Sequence, residues 1–310
     1  MILPQDLQEK INKLYVGLNK KGLTETQRQV TDKYKNQTGQ SKSLIENKNE
    51  GLLYAISRMP ATYSVIYTLV SSLIEQGLLN DVKTVLDAGS GTGAGYFALK
   101  DIDDFEIKLV EREKNMIDVF KQLVDGSVDV EKTDILKFEA DRKFDLVVSS
   151  YVVSEMTESD RLLAVKKLLG FSNDYLLLID TGTPRTYENM MKVKKMVLDM
   201  GCFVVAPCMS EKCGLVDDYC QFYARVERSS LHKLAKSGTL SYEDEKYFYL
   251  LIKKQKTTEK KQRVIRRPII KENNVELVFC TENGVKKENF TKKNKETFKR
   301  AKKIKINDIF

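Results

Sequence analysis

The sequence predicts an α/β fold: an open, mostly parallel sheet covered by helices on both faces, preceded by a helical region and followed by a small basic β appendage. Three observations predict it. From Val82 onward, short β-branched or apolar runs alternate with amphipathic stretches, the pattern of βαβ units. The first of those runs ends in Asp87 and opens onto Gly89, Gly91 and Gly93, at the edge where open sheets bind ligands. Charge is the third observation: residues 253–310 hold 19 Lys and Arg against 7 Asp and Glu, a net of +12, whereas residues 1–252 carry 33 against 37, a net of −4.

Residues 1–78 read as the helical region. Ile11, Leu14, Tyr15 and Leu18 recur at helical spacing, and Thr24 with Gln27 three positions on resembles a capping box. Polar residues 36–43 form a loop, and a second helical pair follows, interrupted by Pro60 and stopped near Gly77. Residues 79–253 form the α/β domain. Its strands are expected at 82–87, 105–110, weakly at 128–130, then at 144–149, 174–180, 202–206 and 246–253, with helices at 114–124, 158–169 and 185–200. Residues 254–310 form the appendage: a charged linker over 254–262, then strands from Arg263 to Ile270 and from Val275 to Cys280 flanking an Asn273-Asn274 turn.

Composition narrows the chemistry. The 310 residues are 42% hydrophobic and 31% charged, a globular balance with a core that needs no disulfide staples. A single histidine, His232, excludes a multi-histidine metal site and argues against Ser-His or Cys-His nucleophilic catalysis. The N-terminus lacks the basic start and apolar run of a signal peptide, and no stretch approaches ~18 uninterrupted apolar residues, so a cytoplasmic protein without membrane contact is expected. Five cysteines in such a chain call for burial or metal binding rather than a disulfide framework. The basic C-terminal block favours a polyanionic partner, because each phosphate neutralised releases counterions. Its candidate contacts to such a polyanion, RNA if the family resemblance given below holds, are Arg263, Arg266, Arg267, Lys292, Lys293, Lys302 and Lys303, with Phe290, Phe298 and Phe310 placed either to stack on bases or to pack a core.

The run Val85-Leu86-Asp87-Ala88-Gly89-Ser90-Gly91-Thr92-Gly93 has GxGxG spacing with an Asp two positions upstream, unlike the GxGxxG dinucleotide fingerprint. It resembles the S-adenosylmethionine loop of class I methyltransferases, a Rossmann-like fold. That resemblance implies that Asp87 serves the methionine end of the cofactor, that Gly89, Gly91 and Gly93 run under it, that Glu111 at the end of the second strand accepts from the ribose hydroxyls, and that Asp134 after the third strand lies at the adenine edge. Two carboxylate oxygens suit two vicinal hydroxyls. The segment after the fourth strand, Ser150-Tyr151-Val152-Val153-Ser154-Glu155-Met156, lacks the prolines of amino-methylating nucleic-acid enzymes and the Pro-Cys pair of cytosine carbon methylases. No catalytic residue is assigned there; Glu155 reads either as a general base or as a carboxylate at a helix start.

Cys208, Cys213 and Cys220 lie in a loop at 207–222 and Cys280 in the appendage. Four thiolates complete either a zinc site or an iron–sulfur cluster; the spacing lacks CxxC knuckles, which favours the cluster. Cys202, opening an apolar run, reads as a core residue.

Together Arg58-Met59-Pro60-Ala61-Thr62-Tyr63, the glycine loop, Ser154-Glu155, Ala206-Pro207-Cys208 and Cys280 resemble the methyltransferase-like small-ribosomal-subunit factors of mitochondria and bacteria, the Rsm twenty-two family. The resemblance implies S-adenosylmethionine binding, association with small-subunit ribosomal RNA or the assembling particle, a four-iron four-sulfur cluster on Cys208, Cys213, Cys220 and Cys280, and the mitochondrial matrix as the compartment in a eukaryote. The leading expectation is an RNA-directed methyltransferase. The alternatives are a noncatalytic assembly factor that uses the fold as an RNA platform, and a small-molecule methyltransferase, for which the C-terminal charge has no use.

Overall fold

The computed structural model describes residues 1–16, 33, 45–236, 239–255 and 262–310. The capping box at Thr24 and Gln27, the polar loop at 36–43 and most of the charged linker lie outside the described residues.

Helix α1 (Gln5–Val16) turns Leu7 and Ile11 inward. Helix α2 (Lys48–Glu75) starts where the Asn47 side chain accepts from the Glu50 N–H at 3.0 Å. The expected pair of helices broken at Pro60 is one continuous helix of 28 residues. An interior proline costs a helix about 3 kcal/mol, but here Ile56, Met59, Ile66, Leu69 and Leu73 are all buried along it, and that burial outweighs the local cost. The Ser57 and Ser64 hydroxyls donate to the Leu53 and Pro60 carbonyls, both at 2.8 Å, so the polar groups on this buried helix are satisfied.

The main sheet follows as β1 (Thr84–Ala88), α3 (Ala94–Lys100), β2 (Glu106–Glu111), α4 (Lys114–Leu123), β3 (Val130–Lys132), β4 (Phe144–Ser150), α5 (Glu158–Phe171), β5 (Ser172–Thr181), α6 (Pro184–Asp199), β6 (Phe203–Ala206), β7 (Phe222–Glu227), α7 (Ser230–Ala235) and β8 (Tyr242–Lys253). The strand order is β3-β2-β1-β4-β5-β8-β6, with β7 paired to β8. Strands β1 to β5 are parallel, and β8 runs antiparallel to β5, with Tyr175 opposite Lys253 and Thr181 opposite Tyr247. Residues 146–148 and 176–179 are fully buried, as continuous apolar strands covered on both faces must be. Because β2 and β3 lie on one side of β1 and β4 on the other, the chain reverses direction across the sheet at β1, opening a crevice at the carboxyl ends of β1 and β4. Strand β7 was not expected, although Phe222, Ala224 and Val226 alternate inward against outward Arg225 and Glu227.

The appendage forms a second sheet from β9 (Arg263–Val264), β10 (Ile269–Ile270), β11 (Asn274–Thr281) and β12 (Gly284–Thr291), closed by α8 (Lys295–Ala301). The single strand expected over 263–270 is two short ones, since Pro268 lacks the N–H that a ladder requires. Residues 271–274 turn the chain so that Ile270 faces Val275. Val264, Val275, Leu277, Phe279, Phe298 and Ala301 make a core of their own, which assigns Phe298 to packing. Ile265 joins the main core, and Gly214 in the cysteine loop lies so close to the β11–β12 turn that a Cβ there would stand 2.9 Å from the Val285 nitrogen. Among the described residues no helix is long and apolar enough to cross a membrane.

Candidate functional site

Strand β1 delivers Asp87 and then the glycine loop to the crevice. Gly91 has φ +55°, a left-handed conformation that only glycine holds without strain, and its N–H donates to Glu111 Oε2 at 2.7 Å. The other Glu111 oxygen accepts from the Glu113 N–H at 2.8 Å. Two backbone donors thus orient the carboxylate at the end of β2. Gly93 has φ +88°, and a Cβ on it would lie 2.2 Å from Phe120 Cδ2, so this position admits no side chain. Gly89, Gly91, Glu111, Thr133, Asp134 and Ile135 line one end of a cavity of about 230 Å3. Asp134 is held in place by the Leu136 N–H at 2.9 Å and by Arg112 at 3.6 Å.

Asp87 stands apart from these groups. Its carboxylate is 1% exposed, does not line the cavity and has no hydrogen-bond partner among the described residues. It lies under the first turn of α3, where a Cβ on Gly95 would be 2.5 Å from Oδ2. Burial, with the Glu111 charge adding to it, pushes this carboxyl up to about 7.

The opposite end of the cavity is built from α2 and the turn after β4, and includes Tyr54, Tyr151 and Glu155. Tyr151 has φ +58°, an uncommon conformation for a bulky residue. Its N–H donates to the Ile179 carbonyl at 2.8 Å, while Arg58, paired with Glu245 at 3.0 Å, lies 5.7 Å from its ring. The turn is pinned from below. Buried Arg161 donates to the Val153 and Met156 carbonyls at 2.8 and 2.9 Å, and buried Asp180 accepts from the Ser154 N–H at 3.0 Å. Burial and neighbouring Asp180 raise Glu155 to about 8, so at neutral pH it is mostly a neutral carboxylic acid. The motif around Arg58 signalled α2, but the role of Arg58 and the left-handed Tyr151 were missed; no local pattern marks either.

The four cysteines, up to 72 positions apart in sequence, line one pocket between α6, the 207–222 loop and β11. Tyr187 Oη lies 2.8 Å from Cys213 Sγ, and the Met209 N–H donates to Cys280 Sγ at 3.5 Å. Burial raises the Cys208 and Cys220 thiols to about 11 and 12. Among the described residues no three His, Cys, Asp or Glu side chains are arranged round a single metal ion. Cys202 is buried in the main core.

The basic candidates divide. Arg263 is 0% exposed and donates to Gln76 Oε1 and to the Asn307 carbonyl, both at 2.7 Å, so it is withdrawn from the expected RNA surface; it staples the appendage to the end of α2. Arg266 pairs with Asp218 beside the cysteine pocket, and Arg267 with Asp244 at 3.1 Å. Lys292, Lys293, Lys302 and Lys303 are exposed around α8, and Lys299 and Arg300, not singled out from the sequence, share that end of the appendage.

The strand order, the antiparallel β8 and a glycine loop facing an acidic β2 end define a Rossmann-like class I methyltransferase fold. The chain belongs to the family described as mitochondrial small ribosomal subunit Rsm22, whose model matches residues 48–310. Among solved structures, a candidate RNA methyltransferase from Pyrococcus horikoshii is 16% identical and aligns over 76% of this chain and 98% of its own, with a TM-score of 0.43. Magnesium protoporphyrin IX methyltransferase from Synechocystis, with bound S-adenosylmethionine, is 14% identical over 79% of this chain and 97% of its own, with a TM-score of 0.43. A ribosomal protein L11 methylase from Lactobacillus delbrueckii subsp. bulgaricus is 15% identical over 60% and 76%, with a TM-score of 0.38. A sequence comparison with curated proteins found no match.

Proposed function

We propose that the protein binds S-adenosylmethionine in the β1–β4 crevice and acts on small-subunit ribosomal RNA or the assembling small subunit as a methyltransferase. The observation that carries this reading is Glu111: both oxygens are held by backbone N–H groups at the mouth of a cavity that also presents Asp134 and apolar Ile135 and Leu136. Each carboxylate oxygen keeps a further lone pair for a ribose hydroxyl, and the apolar pair suits an adenine face. When bound, the cofactor supplies an electrophilic methyl group on sulfur. The residues of the chain orient it and exclude water, which is where a transfer of this kind gains its rate. The exposed lysines around α8 are the RNA contacts in this reading, and the compartment is the mitochondrial matrix in a eukaryote and the cytoplasm otherwise.

The cysteine pocket is read as the site of a four-iron four-sulfur cluster on Cys208, Cys213, Cys220 and Cys280. What supports this reading is that the four cysteines, remote in sequence, line one pocket, and that thiolates are the ligands such clusters take. The cluster would add its binding energy to folding and tie the appendage to the body.

Titration calorimetry with S-adenosylmethionine tests the crevice, and methyl transfer to purified small-subunit RNA tests the activity. One observation favours the runner-up, an assembly factor without methyl transfer: the turn after β4, Ser150-Tyr151-Val152-Val153-Ser154-Glu155-Met156, has neither the prolines of amino-methylating enzymes nor a Pro-Cys pair. Crosslinking to small-subunit RNA in cells without methyl transfer in vitro selects that reading.

A further inference from the structure

The cysteine pocket contains a charge that its own architecture does not explain. Lys194 lies on α6 and is 3% exposed, whereas its neighbour Lys195 is exposed. Its ammonium donates to the Ser210 carbonyl at 2.7 Å, inside the cysteine loop, and the side chain lines the same pocket as the four cysteines. Among the described residues no carboxylate pairs with it. Lys212, which also lines the pocket, is exposed to water, and Arg266 beside it is already matched by Asp218. Burying an ammonium without an anionic partner costs several kcal/mol, and such a residue persists where a negative charge is meant to face it. Four thiolates outweigh the positive charge of an iron–sulfur core, so a cluster here would be that anion.

We propose that Lys194 is the charge-compensating residue of the cysteine site, holding the thiolate-ligated cluster electrostatically and setting its reduction potential upward. This rests on the cluster reading above. A fixed positive charge at a sulfur ligand stabilises the more negative, reduced state. Hydrogen bonding to the sulfurs and local charge are the means by which a protein tunes such centres. Lys194 is a positioning and tuning residue, not a ligand. On reduction a low-potential donor, dithionite, gives up one electron and the iron core takes it; no bond to Lys194 forms or breaks, and its proton stays.

The full chain and the variants Lys194→Met, Lys194→Arg and Lys195→Met are purified anaerobically and assayed for iron and acid-labile sulfide. Each is then titrated with dithionite against redox dyes by absorbance. Lys194→Met should lower the equilibrium constant for reduction at least tenfold, a shift of about 59 mV to more negative potential for one electron. Lys194→Arg should stay near the parent, and Lys195→Met, which removes an exposed charge, should not shift. Loss of the cluster in Lys194→Met with retention in Lys194→Arg also supports the proposal, because the charge alone separates the two. A loaded Lys194→Met protein with unchanged potential overturns it while leaving the cluster reading intact. Loss of the cluster in both Lys194 variants overturns it in favour of a packing role. A parent chain with neither iron nor sulfide defeats the cluster reading itself, and this inference with it.

Discussion

Replacing Glu111 by alanine tests the crevice most directly. The carboxylate accepts from the Gly91 and Glu113 N–H groups at 2.7 and 2.8 Å, and Glu111 lines the cavity. A hydrogen bond to a charged group contributes roughly 1.5–3 kcal/mol. Two ribose hydroxyls on this carboxylate therefore amount to about 3–6 kcal/mol before water in the open crevice takes over part of the role. A net loss of about 3 kcal/mol is expected, which is about a hundredfold in Kd at ~1.4 kcal/mol per factor of ten. The fold should lose less, about 1–2 kcal/mol, since the Gly91 N–H can turn to water and only the buried Glu113 N–H is left short of a partner. Calorimetric titration with S-adenosylmethionine and a thermal melt separate the two effects. A Kd changed by less than threefold in a folded Glu111→Ala protein would refute the assignment of the crevice.

The remaining predictions concern stability and RNA. Asp87 is raised to about 7 from an unfolded value near 3.9, so the native state holds its proton longer than the unfolded chain does, and stability should fall as pH rises from about 4 to 7, by an amount on the order of 4 kcal/mol. Asp87→Asn should flatten that part of the curve in denaturant titrations, and an unaltered slope would show that Asp87 is not the group responsible. Gly93→Ala must place a methyl group 2.2 Å from Phe120 at φ +88° and should cost about 3 kcal/mol, read as a lower denaturation midpoint. Replacing Lys292, Lys293, Lys302 and Lys303 together by alanine should weaken RNA binding and reduce the slope of log K against log salt by roughly 3, at ~0.7 per contact on a single strand, with no change in melting temperature. Arg263→Met should do the opposite, lowering stability by about 2–4 kcal/mol through two lost 2.7 Å bonds while leaving the RNA affinity of the folded protein unchanged. For the same reason a truncation after Lys253 is a poor test of RNA binding, since it strips Arg263 and Ile265 from the body.

Strands β1 to β6, β8 and helices α4 to α6 were legible because each is a short local pattern, an apolar run or an amphipathic repeat, that has one economical way to be buried. The Gly91–Glu111 contact was also within reach, since a glycine-rich turn after one strand and an acidic end on the next become neighbours once the strands pair in parallel. By contrast, β12 was missed because Gly284–Thr291 is a polar edge strand with little alternation to read. The continuous α2 was misread at Pro60 because a propensity penalty is visible in sequence, whereas the burial that outweighs it comes from elements far along the chain.

By itself the sequence determined the parallel strands of the main sheet, the glycine loop with its acidic partner, the basic C-terminal block and the positions of the four cysteines, since these are set by residue type and near spacing. Only the tertiary structure decided which charges remain available. It buried Arg263 against Gln76 and Asn307, left the lysines around α8 in water, withdrew Asp87 beneath the glycine loop, and brought Lys194 from the middle of a helix into the lining of the cysteine pocket. The physical reason is that a charge acts through its distance from other charges and from water, and those distances arise only when segments remote in the chain are packed together.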